Sequence, residues 1–153
     1  MAKRHYIPIT ADVEGVDSDR TRALIRKAIR TALTAEGVTV PCEVDVLLTN
    51  DAGIHQINLD MREVDRPTDV LSFPIGELDY DTGRIFLGDM VLSLERAEAQ
   101  SVEFGGTFEH EVQYLTVHSV LHLLGYDHLD EGEQKAAMRA REKEIMKRLG
   151  YDY

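Results

Sequence analysis

Thiol and indole groups are almost missing from this 153-residue chain, which has one cysteine, Cys42, and no tryptophan. A single cysteine closes no internal disulfide, so the expected setting is a reducing one, the cytoplasm. Long hydrophobic runs are missing too. The longest are a few residues, as in Ile85-Phe86-Leu87, against the ~20 that a membrane-spanning helix needs, so no membrane partner is expected. The basic N-terminal stretch MAKRHYIPIT lacks the apolar centre of a secretory signal. Basic residues are in deficit: 17 Lys and Arg stand against 28 Asp and Glu, a net charge of -11. Affinity for phosphate backbones comes mainly from Lys and Arg. Any nucleic-acid role must therefore rest on a local patch or on a metal.

What is there is the composition of a folded domain, with 43% hydrophobic and 29% charged residues. That excludes a disordered chain and a coiled-coil rod. The length fits a single domain over residues 1–153. Residues 3–9 read as a first strand, weakened by Pro8. Asp17 or Ser18 can cap a helix running to about Glu36, with its apolar stripe at Leu24, Ile25, Ala28, Ile29, Ala32 and Leu33. Gly37 is a suitable stop. Val44, Val46 and Leu48 alternate in a second strand. Thr49 or Asn50 can then cap a helix carrying Ile54, Ile57 and Met61.

Residues 62–68 read as a loop, 70–73 as a strand stopped by Pro74, and 76–83 as an acidic hairpin tip. A strand within 84–94, a helix over 93–103 and a helix from Thr107 through His122 follow. The last helix, 131–149, has a capping-box-like start at Asp130 and Glu133. Early strands interleaved with helices, and helices bunched late, predict an α+β fold: a small mixed sheet with about five helices.

The chemistry concentrates in His118-Ser-Val-Leu-His122-Leu-Leu-Gly125-Tyr-Asp-His128. Residues four apart on a helix share a face, so His118 and His122 can both reach one ion. Gly125 lets the chain turn back, which brings His128 within reach of the same point. Three nitrogen ligands with one position open describe a catalytic metal site rather than a closed structural one. The spacing is also that of the metzincin proteases. Their general base is a Glu directly after the first His, whereas this chain has Ser119 there.

On these residues the chain resembles the YbeY family of bacterial endoribonucleases and ribosomal RNA maturation factors. HSVLHLLGYDH is similar to the family's H-G-x-L-H-L-x-G-Y-D-H signature, with Ser119 in the usual Gly position. Arg62 followed by Pro67-Thr68-Asp69-Val70-Leu71-Ser72-Phe73-Pro74 resembles its R…TDVLSFP element. Leu87-Gly88-Asp89-Met90-Val91-Leu92-Ser93 resembles its L-G-D-I-x-I-S strand. The resemblance implies a zincin-like fold with the metal site at the end of a helix. It implies one divalent metal per chain, with Zn2+ expected, held by His118, His122 and His128. It further implies single-strand-specific cleavage of RNA in 16S ribosomal RNA 3′-end maturation and ribosome quality control. The implied partners are ribosomal RNA and the ribosome or its small-subunit proteins. Two rival readings are a non-catalytic ribosome-assembly factor with a metal-stabilised surface and a metallopeptidase-like hydrolase.

Arg62 is expected to clamp phosphate, since a guanidinium offers two donors at once. The resemblance supports a catalytic role for it. The plain alternative is a solvated loop arginine paired with Glu63 or Asp65. Asp69 could support a ligand His or simply close a turn after Pro67, and Asp127 reads as a turn residue. His110 lies two turns from His118, about 12 Å along the axis, which is too far for a ligand. His5, His55 and Cys42 have nothing that ties them to the cluster. Arg22, Arg26 and Arg30 line one helix face, either facing RNA or facing solvent.

Overall fold

The computed structural model describes residues 4–14, 17–126 and 132–153. Among these, the element order is β1 (Ile9–Ala11), α1 (Asp19–Ala35), β2 (Cys42–Thr49), α2 (Asp51–Arg62), β3 (Val70–Leu78), β4 (Ile85–Ser93), α3 (Leu94–Glu103), α4 (Phe108–Leu123) and α5 (Glu133–Arg148). The four strands form one sheet in the order β1-β2-β4-β3. β1 and β4 both run parallel to β2, and β3 is antiparallel to β4. The expected α+β class with a small mixed sheet and five helices is what the chain adopts. Among the described residues no helix is long and apolar enough to cross a membrane.

The binary pattern of the strands decides what each face of the sheet buries. Val44, Val46 and Leu48 of β2 and Met90 and Leu92 of β4 face one side. There they meet Ile25, Ile29 and Leu33 of α1, which are fully buried, and Val117, Val120 and Leu121 of α4. The opposite face carries a smaller cluster of Leu71, Val91 and Ile54, the last from α2. The helix α4 is buried on nearly every side, wedged between the sheet and neighbouring helices. Its buried positions include Val112, Leu115, Val120, Leu121 and Leu123.

Three boundaries differ from the sequence expectation. The first strand begins at Ile9 instead of residue 3. Tyr6 does bridge to Glu43, but Pro8 has no N–H and interrupts the ladder. Pro74 does not stop β3, which continues to Leu78. β3 is an edge strand, and the register shifts between Pro74 and Glu77, a bulge where a missing donor is tolerated. Arg62 is the last residue of α2 rather than part of a loop. Glu63 caps that helix in the left-handed conformation at φ 59°, a task usually given to Gly or Asn. For α5 the capping residue is Gly132, with no side-chain cap bond. Asp130, the capping residue expected from the sequence, lies outside the described residues.

The arginine face of α1 has a structural use. Just before β1, the carbonyls of Tyr6 and Pro8 accept from β2, so those of Ile7 and Ile9 point to the open edge. Arg26 Nε donates to Ile7 O at 3.1 Å and Arg22 Nη1 to Ile9 O at 2.9 Å. Arg22 also pairs with Asp17. The two side chains thus cover an edge that could otherwise pair with another chain.

The sheet also carries a repulsive pair. Asp45 of β2 lies in register beside Asp89 of β4. Burial first, then the hydrogen bond and charge of Glu43, push the Asp45 carboxyl up to about 6. Burial and the charge of Asp45 raise Asp89 as well. A carboxyl raised on folding costs stability above its folded value, and the cost fades as pH falls through that value toward 3.8. Asp45→Asn is therefore expected to stabilise the protein at pH 7.5 by about 1 kcal/mol, after discounting for partial exposure. That corresponds to a thermal shift of roughly 2–4 °C. Melting curves from pH 7.5 to 4 check the sign, because the gain should shrink below pH 6. A gain that is constant with pH would mean that charge is not its source.

Candidate metal centre

The site is organised by the C-terminal end of α4. Thr107 caps the helix start by accepting from the His110 N–H at 3.1 Å. At the other end Gly125, at φ 105°, takes the left-handed conformation. The Gly125 N–H donates to His122 O at 3.0 Å and the Tyr126 N–H to Leu121 O at 3.0 Å. This pair of bonds is the Schellman closure of a helix. Its consequence is chemical. The turn carries the Tyr126 carbonyl back over His122, where it accepts a hydrogen bond from the Nδ1–H at 2.9 Å. With the proton on Nδ1, the lone pair of His122 is on Nε2.

His118, one turn earlier, is set in the same way by a different partner. Its Nδ1 faces Oε1 of Glu142, on α5, at 3.4 Å. A carboxylate only accepts, so this nitrogen carries the proton and Nε2 the lone pair. The two Nε2 atoms are 3.1 Å apart, with the rings at 81° to one another. Two nitrogens at about 2.05 Å from a tetrahedral ion would be about 3.3 Å apart. Two lone pairs aimed at one another repel unless a proton or cation lies between them. The donor set, the tautomers and the spacing therefore all fit a divalent ion. Among the described residues no group of three His, Cys, Asp or Glu side chains converges. His128, the third expected ligand, and Asp127 lie outside the described residues.

A cleft of about 680 Å³ opens over the two imidazoles, lined by Arg62, Arg66, Asp69, Ser72, His118 and His122 among others. Arg62 thus shares a cleft with both histidines, although α2 packs on the opposite face of the sheet from α4. The side chain of Asn58, 1% exposed, ties the rim together. Its Oδ1 accepts from Arg62 Nη1 at 3.4 Å, and its Nδ2 donates to the Arg66 carbonyl at 3.0 Å. Asp69 turns to its own backbone and accepts from the Val70 N–H at 2.7 Å, the plain turn reading.

Ser119, where the peptidases carry a base, is fully buried and shares a 2.6 Å hydrogen bond with the Ser72 hydroxyl. It links α4 to β3 beside the cleft. Ser119→Ala should cost about 1 kcal/mol, the worth of one buried hydrogen bond, and leave RNA cleavage within roughly threefold of wild type. A hundredfold loss of kcat with unchanged folding would give the hydroxyl a chemical role.

The remaining histidines are spoken for elsewhere. His110 Nε2 shares a 2.7 Å hydrogen bond with the Tyr153 hydroxyl, and its ring meets Tyr151 edge-on. His5 Nδ1 accepts from the Cys42 N–H at 2.9 Å, and His55 lies 2.7 Å from Asp65. Cys42 is core, 1% exposed. Sequence reasoning missed Arg66 and Asn58, and it placed Glu142 in the closing segment that fits the family without giving it a role in the site. Only Glu142 left a signal: a lone carboxylate on the stripe of Met138, Ile145 and Met146 that faces the core.

Comparison with known proteins agrees with this layout. A family model described as "Endoribonuclease YbeY" matches residues 7–150. A Clostridium botulinum (strain 657) protein named endoribonuclease YbeY is 47% identical over 143 residues, covering 80% of this chain and 84% of its own. A protein of the same name from Acetivibrio thermocellus is 42% identical over 147 residues, covering 88% and 90%. The solution structure of TM1509 from Thermotoga maritima superposes with a TM-score of 0.59 at 26% identity, covering 94% of this chain and 91% of that one. The two histidines of α4, their cleft and Arg62 on its rim thus sit within a match that spans nearly the whole sequence, and the chain belongs to the YbeY endoribonuclease family.

Proposed function

We propose that the chain is a metal-dependent endoribonuclease that cuts single-stranded RNA, acting on 16S ribosomal RNA near its 3′ end and in ribosome quality control. The observation that carries the metal is the pair of Nε2 atoms 3.1 Å apart, each with its other nitrogen engaged. The family match carries the nuclease class. His118 and His122 would hold the ion, Zn2+ by the chemistry of imidazole donors, with His128 as the third ligand. When bound, it would supply Lewis acidity toward a phosphoryl oxygen.

The chain's own groups then have definable tasks. The Arg62 guanidinium, at the cleft mouth, engages two oxygens of one phosphate and offsets charge as it builds. Arg66, on the same rim, suits the neighbouring phosphate. The cleft is open, as a flexible single strand requires. A net charge of -11 repels RNA at long range, so a basic small-subunit protein would bring enzyme and substrate together by tethering. The ribosome is the setting that supplies such a partner, and the cytoplasm is its compartment. A metallopeptidase reading is disfavoured by Ser119, which bonds Ser72 in the place of a base.

The test is cleavage of a single-stranded ribosomal RNA 3′ fragment by protein stripped with a chelator and refilled with Zn2+. Activity lost on stripping and restored on refilling is expected, with none on a peptide library. The ends of the products identify the nucleophile: a cyclic phosphate means the 2′-hydroxyl attacked. Full ribosome-assembly function in a protein without cleavage activity would favour the binding-factor reading instead. Arg62→Lys replaces the two-donor fork by a point charge and should lower kcat/KM by at least tenfold.

A further inference from the structure

The last helix reaches the site through one residue, and that residue is costly to keep. Glu142 lies on the inward stripe of α5, between Met138 and Ile145, and is 5% exposed. A carboxylate there has lost its hydration and needs donors or a counter-charge. Its Oε1 has the His118 Nδ1–H at 3.4 Å, a long hydrogen bond. Its Oε2 is sealed from solvent and makes no hydrogen bond. The Tyr114 hydroxyl is beside it and is itself pushed up by burial and by Glu142. Arg139 is on the same helix, but it is exposed and acts only at long range. Its near donors, the His118 imidazole and the Tyr114 hydroxyl, carry no fixed charge.

A cation on the far nitrogen of His118 changes this. It draws electron density through the ring, makes Nδ1–H a stronger donor and supplies the missing counter-charge. The carboxylate in turn holds the proton on Nδ1, keeps the ring oriented and raises the basicity of Nε2. His122 has a neutral carbonyl in the same position.

We propose that Glu142 is a positioning residue for a divalent cation at His118, forming a carboxylate–imidazole–cation relay from α5. This rests on the metal reading of the site. It also explains why a lone carboxylate sits in an apolar stripe: α5 is coupled to the ion without contributing a ligand.

The test uses the full chain and Zn2+ alone. Glu142→Gln keeps the shape and an acceptor but removes the charge. Zn2+ affinity by chelator competition should fall ~10–100-fold. The imidazole nitrogen shifts of His118 should show a mixture of tautomers in place of one. Wild-type Zn2+ affinity with a single unchanged tautomer would overturn the proposal and leave Glu142 a packing residue. Should the Gln variant not fold, Glu142→Asp keeps the charge and shortens its reach by one methylene. Weakened Zn2+ binding is expected again, and unchanged binding overturns the proposal. Failure of the parent reading looks different. Wild-type protein that takes up no Zn2+ at all would overturn the metal site itself and the relay with it.

Discussion

His122→Ala is expected to abolish RNA cleavage, lowering kcat/KM by about a thousandfold or more, while the protein stays folded. The side chain is only half-buried and stands at the end of α4, outside the apolar cluster, so little packing is lost. What goes is one of two nitrogens that share a point 3.1 Å across. A bound ion contributes several kcal/mol of charge stabilisation, and each 1.36 kcal/mol is a factor of ten in rate. The double variant with His118→Ala should be no worse than either single one, because ligands of one ion act as a unit. Cleavage kinetics, zinc content and a melting curve on the same preparations check this. If His122→Ala kept more than a tenth of wild-type activity, the imidazole pair would not be the reaction centre.

Gly88→Val is expected to destabilise the protein by about 3–5 kcal/mol, in the range that marks a named structural conflict. Against a total stability of roughly 5–15 kcal/mol, that leaves a fold that is marginal or lost. Gly88 lies in β4 opposite Pro74 at the bulge. Its φ of 142° is one that side chains rarely adopt, and a Cβ there would lie 2.1 Å from the Phe73 carbonyl oxygen. The next contact, 3.1 Å to Leu123 Cδ2, shows what the missing side chain permits. Strand β3 and the end of α4 close down on this one position, which brings Ser72 to Ser119 and the cleft wall to the histidines. Gly106→Ala is the control. No atom lies within 4 Å of its Cβ position and its φ is not in the left-handed range, so the change should stay within about 1 kcal/mol of wild type. Urea titrations of the two variants decide the matter. Equal midpoints would mean that the close approach at Gly88 relaxes at no cost.

The two kinds of site residue differ in how far sequence alone could find them. His118, His122 and Gly125 lie within eight positions, and helix geometry converts that spacing directly into a shared face. Arg62 was singled out by the resemblance of its segment, but its place in the loop was wrong. The left-handed cap at Glu63 lets α2 run on to Arg62, and nothing in a Glu announces that conformation. Glu142 was given no role in the site because it does its work across the fold, reaching from α5 to α4. Its partner is not a neighbour in any periodic pattern. Asn58 acts closer by, on Arg62 one turn along α2 and on the loop after it, but an asparagine on a helix does not announce a buried polar role.

By itself the sequence determined the class of fold, the inward stripes of α1 and β2, the cap at Thr107, two candidates for each of the caps of α1 and α2, and the imidazole pair. All of these depend on residues within a few positions of one another, where periods of 3.6 and 2 carry the information. Tertiary structure alone decided that α1 arginines would close the edge of β1 and that Pro74 could stay within an edge strand. It also decided that a serine would tie α4 to β3 and that a buried glutamate would face the back of His118. The physical reason is the same in each case. A hydrogen bond or buried charge is settled by whichever group arrives within about 3 Å, and arrival there depends on how the layers pack, which no local pattern encodes.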